Sequence, residues 1–563
     1  MDSVPPAFVF LAGAAAMALC GRRAQPALLL IVPIAGAVNL AGLADGEGWR
    51  VGILDYTLTL LRVDRLSMLF GVLFHLAAFI AGLFALHQRD RLQHSAAMLY
   101  AGSALGAVFA GDLVSLFLFS ELLAVGGALV VLAGRSAAAM SAAFRYFVIH
   151  ALAGALLLVG ALLHIRATGS SAFGAIGLDG LGSWLILSAF AIKCAFPLVH
   201  NWLTDSYPQA TATGAVFLAA FTTKVAIYAL ARGFAGAEPL IYVGTVMTLF
   251  PIFYAVIEND LRRVLSYSMI NQLGFMVVGI GLGSALALDG ALAHAFNEVL
   301  FKGLLLMAMG AVLHVTGTTR CSDLGGLYKT MPATASLCIV GAVSISAFPL
   351  FNGFVSKSLI MAAALEEGYD SVWLLLLFAS AGVLHHAGIK VPFNAFFATD
   401  RGIRAKEPPA NMLAAMAVAA ALCVAIGSYP AVLYGLLPIP VEFVPYDRTH
   451  VLVQLQLLVF AVLAAVVLKL ADLEPHESRS VLLDAEWFYR RLGPRLIARL
   501  ARGWETLAAL AREAGGAGGA VLADAIWRLA GPSGTLARTW SVGLMVLVTA
   551  LALALSLALY LLL

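Results

Sequence analysis

The sequence has little charge and little cysteine, and each shortage excludes a class of protein. Of its 563 residues, 12% are charged and 62% are hydrophobic, with a mean hydropathy of +0.94. Because about a quarter of a typical soluble domain is charged, a water-soluble fold is excluded. The five cysteines are scattered, without a CxxC pair or a His/Cys ligand spacing. We therefore expect neither an iron–sulfur cluster nor structural zinc.

Signs of a cofactor or a reaction centre are also missing. The chain has no glycine-rich nucleotide loop between a strand and a helix, and no nucleophile constellation. We therefore expect no cofactor, no metal and no catalytic centre in this chain. Any redox cofactor would belong to a partner.

Apolar runs long enough to span a bilayer recur along the whole chain. A spanning helix needs about 20 mostly apolar residues, and we count sixteen such runs, the last at residues 540–563. They predict an all-α integral membrane protein of about 16 transmembrane helices. The first run has no basic segment before it, which favours a retained helix over a cleaved signal.

Basic residues predict the orientation of these helices. They gather in the loops after odd-numbered runs, for example Arg22 and Arg23 after the first and Arg262 and Arg263 after the ninth. Because basic loops tend to stay in the cytoplasm, we expect these loops inside and both chain ends outside. The expected location is a bacterial cytoplasmic (inner) membrane, crossed many times.

Charge returns between residues 475 and 538, where arginines interleave with leucine, isoleucine and tryptophan. This pattern predicts a basic amphipathic lateral segment that lies on the membrane surface or along neighbouring helices. The cluster Gly515, Gly516, Gly518 and Gly519 should break it into two pieces. A solvated cytoplasmic tail is the alternative.

Ionisable residues inside the apolar runs are the main candidates for function. Each costs about 2.5–3.5 kcal/mol on insertion scales and marks a functional site by default. A buried lysine can be switched between its neutral and charged forms by a neighbouring carboxylate, which predicts a proton relay. The alternative is a set of inter-helix ion pairs. The candidate relay residues are Glu121, Lys193, Lys224, Glu298, Lys302, Lys357 and Lys390.

Two of these candidates share one helix face, and one lies near a predicted helix end. Glu298 and Lys302 are four residues apart, a spacing that allows proton exchange or an ion pair. Lys390 could instead extend its ammonium to the membrane surface.

Histidines are ambiguous in this setting. His294 precedes Glu298 by one turn, and His385 and His386 precede Lys390, so these three are candidate relay members at neutral pH. Each could equally be a packing histidine. We interpret the other intramembrane histidines as structural: His75, His150, His164 and His314.

A short motif occurs twice in the chain. Ala195-Phe-Pro197-Leu198 recurs as Ala347-Phe-Pro349-Leu350, each time near a lysine. Proline breaks the hydrogen-bond ladder of a helix, and paired proline-broken helices in two halves are typical of inverted-repeat transporters. The motif predicts two inverted five-helix repeats, each with one helix broken at Pro197 or Pro349.

We expect five regions along the chain. They are N-terminal transmembrane helices (1–92), a first inverted-repeat proton-channel bundle (93–235), a second such bundle (236–400), C-terminal transmembrane helices (401–474), and the amphipathic segment with the terminal helix (475–563).

Several segments carry a family resemblance. They are KCAFPLVHNWLTD at 193–205, LRRVLSYSMINQ at 261–272, FKGLLL at 301–306 followed by Gly325-Gly326-Leu, and GFVSK at 353–357. Together they resemble the antiporter-like subunits of respiratory complex I and of Mrp-type multisubunit cation/proton antiporters, over roughly residues 65–435. HHAGIKVPF at 385–393 is most similar to the D-type subunit of the Mrp antiporters.

The resemblance implies roles for individual residues. Glu121 would pair with Lys193, and Lys224 would pass protons towards the centre. Lys302 would be a central relay and Lys357 would handle exit. One departure concerns Glu298, because the family usually has a histidine in its His-Ala-x-x-Lys motif at this point. The long basic tail is similar to that of the largest antiporter-like subunit of complex I, and D-type chains of the usual length lack it.

The leading functional hypothesis is a proton-translocating subunit of a multisubunit Na⁺/proton antiporter. The second is a proton-pumping subunit of a complex I-type NADH:quinone oxidoreductase or a membrane-bound hydrogenase. The third is a non-transporting membrane scaffold with vestigial charges. The first two imply other membrane subunits as partners, a lipid bilayer as the surroundings and protons as the ions handled, and the first adds Na⁺. No nucleic acid is expected as a partner.

Overall fold

The computed structural model describes residues 4–53, 56–471, 473, 482, 484–514, 517–534 and 541–562. The chain divides into two compact units, Met1–Leu482 and Leu483–Leu563. Helices dominate both units, which confirms the predicted all-α class. The break predicted at Gly515 and Gly516 lies outside the described residues.

The first unit begins with three helices and a hairpin. Asp64 ends the hairpin and caps the third helix, because its carboxylate accepts the backbone N–H of Ser67 at 2.9 Å while the Ser67 hydroxyl accepts the N–H of Asp64 at 2.9 Å. The sequence prediction missed the two antiparallel strands. The elements are α1 (Pro6–Leu19), α2 (Gln25–Ala41), β1 (Gly46–Ile53), β2 (Tyr56–Val63) and α3 (Arg65–Ala85).

Two similar groups of helices follow. The first comprises α4 (Arg91–Phe109), α5 (Leu113–Leu132), α6 (Ala137–Thr168), α7 (Gly180–Lys193), α8 (Asn201–Ser206), α9 (Gly214–Ala220) and α10 (Thr222–Gly233). The second comprises α11 (Pro239–Ile257), α12 (Leu261–Leu282), α13 (Ala285–Thr316), α14 (Pro332–Ile345), α15 (Asn352–Glu366) and α16 (Asp370–Val383).

The two groups match in spacing and in local detail. Helices α11, α12 and α13 each begin 148 residues after α4, α5 and α6. Both α6 and α13 have 32 residues and end at a left-handed glycine, Gly169 or Gly317. The same order of helix lengths and caps therefore occurs twice.

The repeated proline motif breaks a helix in both groups. After α7, Ala195 and Leu198 have φ angles of 59° and 72°; after α14, Ala347 and Leu350 have 57° and 74°. Positive φ is uncommon for residues other than glycine. Because the same two motif positions adopt this conformation in both groups, the interrupted helix is a shared feature of the two repeats.

The remainder of the first unit is mainly helical, and two of its turns depart from regular α-helical geometry. We predicted one regular helix over 371–398, but α16 continues into π-helical turns at Leu384–Ile389 and Phe393–Phe397, which flank the short α17 (Lys390–Pro392). The last helices of the unit are α18 (Ala410–Ser428), α19 (Ala431–Tyr434) and α20 (Arg448–Leu470).

Among its described residues, the second unit contains a π-helical turn at Phe488–Leu492 and three α-helices, α21 (Gly493–Ala514), α22 (Ala517–Ala530) and α23 (Val542–Leu562). The first two fall within the predicted amphipathic segment, and α23 matches the predicted terminal span.

Among the described residues, ten helices are long and apolar enough to cross a membrane, and five shorter apolar helices of 10–17 residues accompany them. This number roughly fits the predicted sixteen spans. The single span predicted over 332–366 consists of α14 and α15 on either side of the second break.

Candidate functional site

Glu121 and Lys193 come together between α5 and α7. Lys193 is the last residue of α7, is 1% exposed, and donates to the Ser120 carbonyl at 3.4 Å. Glu121 follows Ser120 and interacts electrostatically with Lys193. Gly154 on α6 makes room for the carboxylate, since a side chain there would overlap it. The predicted glutamate–lysine neighbourhood is therefore present.

His150 lies beside this pair, although we interpreted it as structural. Its ring is fully buried between Tyr146 and Trp202, with ring-centroid distances of 4.2 and 4.4 Å, and Lys193 acts on it electrostatically. Among the described residues, neither ring nitrogen has a hydrogen-bond partner. The Trp202 indole donates to the Ile192 carbonyl at 2.8 Å, so it satisfies a carbonyl near the break.

Lys224 links the first group of helices to the second. It lies in α10, just after the interruption at Phe221, and forms an ion pair with Glu298 of α13; both side chains are fully buried. The ammonium also donates to the Ala219 carbonyl at 3.2 Å and the Thr223 hydroxyl at 3.3 Å. Removing one partner would leave a buried charge without its counter-charge, which is costly. The pair therefore favours the arrangement in which α10 and α13 are in contact.

Lys302 lies one turn beyond Glu298 on α13 and is fully buried. Its ammonium donates to the Ser268 hydroxyl of α12 at 2.7 Å. Ser268 is 148 residues after Ser120, whose carbonyl accepts from Lys193. The two serines therefore hold matching places in the repeats, and each meets a lysine.

His294 joins three helices of the second group. Its Nδ1 lies 2.9 Å from the Ser356 hydroxyl of α15, and its Nε2 lies 3.1 Å from Oε1 of Gln272 on α12. Lys224, Lys302 and Lys357 all act on it electrostatically. Its position fits the predicted relay, though its role stays a prediction.

Lys357 lies on α15, beyond the second broken segment. Its ammonium donates to the Ile345 carbonyl, the last residue of α14, at 3.0 Å, and lies 5.0 Å from the centre of the Phe275 ring. The break at Pro349 therefore supplies an acceptor that an unbroken helix would have used itself.

Lys390 and the paired histidines lie in the π-helical region. Lys390 donates to the Val256 and Glu258 carbonyls at 2.6 and 2.7 Å, at the end of α11, and is 5% exposed. His386 is fully buried within electrostatic reach of Lys302 and Lys357, while His385 is half-buried. His386 thus lies near the central lysines.

Several polar residues beside the relay were missed by the sequence prediction. Asn297 and Asn352 exchange amide-to-carbonyl hydrogen bonds of 2.8 and 3.4 Å next to Glu298. The sequence does contain a signal for such residues, because a polar side chain inside an apolar helix is costly and indicates a specific partner. The other missed neighbours are Ser120, His150, Ser268, Gln272 and Ser356.

These features define a class of protein: a multi-pass helical membrane protein built from two similar groups of helices, with ionisable side chains inside each group and a buried ion pair between the groups. The transmembrane family described as NADH:quinone oxidoreductase/Mrp antiporter matches residues 110–385. The N-type subunit of the NADH-quinone oxidoreductase of Desulforudis audaxviator is 32% identical over 61% of this chain and 74% of its own length. The chain belongs to this family.

Two further similarities agree with this assignment. The D-type subunit of the Na⁺/H⁺ antiporter of Alkalihalophilus pseudofirmus is 31% identical over 50% of this chain, which spans 62% of that relative's length. A chain of the Mrp complex from Dietzia sp. DQ12-45-1b matches with a TM-score of 0.70 at 21% identity, over 80% of this chain and 98% of that one. The fold and the location in the cytoplasmic membrane are therefore as predicted.

Proposed function

We propose that this chain is the proton-translocating membrane subunit of a multisubunit monovalent cation (Na⁺)/proton antiporter. The observation that carries the proposal is the buried Lys224–Glu298 ion pair, which joins the two groups of helices. The first group of helices also contains the buried Lys193 with the half-buried Glu121, and the second contains the buried Lys302 and His294.

The proposed mechanism passes a proton along this set of groups. Burial disfavours the charged form of a lysine, and a nearby carboxylate restores it. A proton that arrives at Glu121 would neutralise its carboxylate and weaken its electrostatic attraction to the Lys193 ammonium. Lys193 would then release its proton more readily, and proton transfer would continue by way of Lys224 and Glu298 to Lys302. His294, Lys357, His386 and Lys390 would complete the route, with His385 as a further candidate.

Relatives support the same function. The Alkalihalophilus relative belongs to a Na⁺/H⁺ antiporter, and the Dietzia structure is that of an Mrp complex. By analogy, we propose that this chain works with other membrane subunits in a hetero-oligomer. The five regions predicted from the sequence, including the two proton-channel bundles, form part of this proposal.

A second candidate is a proton-pumping subunit of a redox complex. The similarity to the N-type oxidoreductase relative, which extends over 74% of that protein, favours it. Both candidates require the same relay. They differ in the energy source, which is an ion gradient in one and electron transfer in the other.

Proton movement would test both candidates when it is measured in inverted membrane vesicles from cells that express the complete operon. Wild type is compared with Glu121→Gln, Lys193→Ala and the control Lys329→Ala, whose side chain is 48% exposed in a loop ion pair. We expect added Na⁺ to change the internal pH in wild type and in the control but not in the two relay variants. A pH change that only NADH elicits would replace the antiporter with the redox pump. Unchanged transport in both relay variants would overturn the relay.

A further inference from the structure

Four buried side chains that carry hydroxyls meet at the interruption between α9 and α10. Thr222 is the first residue of α10, and its Oγ1 lies 2.6 Å from Oη of Tyr100 on α4 and 3.0 Å from Oη of Tyr146 on α6. Tyr100 also forms a side-chain hydrogen bond with Tyr207, which follows α8. All four residues are at most 1% exposed. We call Tyr146, Thr222, Tyr100 and Tyr207, in this order, the hydroxyl row.

The two ends of the hydroxyl row lie near two different ionisable sites. At one end, the Tyr146 ring contacts the ring of His150, with centroids 4.2 Å apart, and Lys193 acts on His150 electrostatically. At the other end, Glu298 acts electrostatically on Tyr207. The row therefore has one end near the first group's lysine and the other near the ion pair that joins the two groups.

The protons of the hydroxyl row can be ordered in two ways. A hydroxyl donates one hydrogen bond and accepts up to two, and in both bonds of Thr222 either oxygen can be the donor. The protons can therefore point from Tyr146 towards Tyr100 or in the reverse direction. Such a row can take up a proton at one end and release another at the other end, after which rotation of the hydroxyls restores the first order.

A purely structural role explains part of this arrangement. Buried backbone groups need hydrogen-bond partners, and the interruption leaves some of them without helical ones. The Thr222 N–H donates to Oη of Tyr100 at 3.1 Å. The Tyr207 hydroxyl donates to the Leu218 carbonyl at 2.7 Å. Two of the tyrosines thus satisfy the interrupted backbone.

Tyr146 is not explained in this way. In the part of the chain that the structure describes, its hydroxyl bonds to the hydroxyls of Thr222 and Tyr100 and not to the backbone. Helix α5 leaves room for this hydroxyl, because a side chain at Gly127 would overlap it. Satisfaction of the backbone therefore does not account for the end of the row that lies nearest Lys193.

We propose that the hydroxyl row carries the proton between Lys193 and the Lys224–Glu298 ion pair. This inference rests on the function proposed above. In one transfer, the Lys193 ammonium loses a proton, becomes a neutral amine, and the Tyr146 end of the row takes the proton up. The Tyr207 end releases a proton to the Glu298 carboxylate, which becomes a neutral acid. Each proton in between moves by one hydrogen bond, so the row itself gains and loses one proton.

Variants that remove one hydroxyl test the proposal in the inverted vesicles described above. Tyr146→Phe and Thr222→Val should lower the maximal rate of proton transport about a hundredfold, the lower end of what a positioned proton-transfer group contributes. The concentration of Na⁺ or NADH that gives the half-maximal rate should not change, because the row binds neither. Thr222→Ser keeps a hydroxyl and should restore most of the rate.

A matched control separates proton transfer from the loss of a buried hydrogen bond. Tyr228 lies on α10 outside the row, is fully buried, and its hydroxyl accepts from Nε of Arg232 at 2.8 Å. Tyr228→Phe and Tyr146→Phe each remove one buried hydroxyl, so their thermal unfolding midpoints should fall by similar amounts. Tyr228→Phe should nevertheless retain wild-type transport.

Lys193→Ala, measured in the same vesicles, separates failure of this proposal from failure of the proposed function. Wild-type rates in Tyr146→Phe and Thr222→Val, with transport abolished in Lys193→Ala, would overturn the hydroxyl row and leave the relay in place. Wild-type rates in all three would overturn both. A loss in Thr222→Val that Thr222→Ser does not restore would also overturn the row, since the hydroxyl would then not be the group that matters.

Discussion

The Lys224–Glu298 ion pair is fully buried, so the loss of either side chain should lower the stability of this protein strongly. Sequence spacing suggested that Glu298 could pair with Lys302 on its own helix, but the structure pairs it with Lys224 on another. The family resemblance places a histidine at the position of Glu298. The carboxylate therefore gives Lys224 a full counter-charge that a neutral histidine would not provide.

Removing one partner of this pair should cost more than removing both. We expect Glu298→Gln to lower the free energy of unfolding by about 3 kcal/mol, because it leaves a buried ammonium without its partner. Lys224→Met with Glu298→Met should regain most of this loss, because apolar replacements of a buried pair are often neutral. Denaturation with SDS in micelles, followed by circular dichroism, would measure both.

Proton transport provides the control for this comparison. Neither the single nor the double variant should translocate protons in vesicles, even where the fold is regained. A Glu298→Gln protein as stable as wild type would contradict the assignment of the pair.

Gly154 tests how tightly the Glu121 carboxylate is held. A methyl group at this position would overlap the carboxylate, so Gly154→Ala should destabilise the protein by about 1–3 kcal/mol and reduce transport. Gly303 on α13 is a matched control, since no neighbouring atom of the described residues lies within 4 Å of an added Cβ. Gly303→Ala should be neutral or stabilising by up to about 1 kcal/mol. Equal effects of the two substitutions, measured by thermal unfolding, would argue against a confined carboxylate.

At the scale of elements, the two broken helices carry the clearest strain. Leu198 and Leu350 adopt left-handed backbone angles of 72° and 74°, which cost a residue with a side chain about 1–2 kcal/mol. Both side chains are mostly exposed, at 74% and 57%. Little packing therefore offsets the strain.

Glycine should relieve this strain at both positions. We expect Leu198→Gly and Leu350→Gly each to raise the free energy of unfolding by about 0.5–1 kcal/mol. Leu152→Gly, at a 51% exposed position within the regular helix α6, should instead lower it by about 1 kcal/mol. Thermal unfolding of the three variants in one detergent would measure the contrast, and a loss of stability at Leu198 equal to that at Leu152 would rule out the strain.

The elements differ in how far the sequence predicts them. Apolar runs and Pro197 and Pro349 predict the spans and their breaks, because length and a missing N–H are local properties. The hairpin depends on distant contacts: the Thr59 N–H donates to Asp112 at 2.7 Å, and Arg62 donates to the Phe173 carbonyl at 2.6 Å. The π-helical turns around Lys390 escape prediction because an apolar helix without a polar face gives no periodicity from which to read its winding.

At the scale of the whole first unit, the candidate site is only partly predictable. The sequence identifies which side chains are ionisable and buried, because charge in an apolar run is costly wherever it occurs. It does not identify which of them meet, since Lys224 and Glu298 are 74 residues apart. His386 and His294 come near the same lysines through helices that meet only in the folded chain.

A relay that crosses both groups of helices should behave as one pathway in series. Glu121 lies in the first group of helices and Lys357 in the second, and the Lys224–Glu298 ion pair joins the two groups. We expect Glu121→Gln and Lys357→Met each to abolish most proton transport in inverted vesicles, and the double variant to lose no more than either alone, because residues that act as a unit are not additive. Lys329→Ala, in its exposed ion pair, should retain wild-type transport.

If each half instead conducts protons independently, each single variant should retain about half of the transport and only the double variant should lose it. That result would leave the Lys224–Glu298 pair with a structural role and move the proton route into two separate bundles.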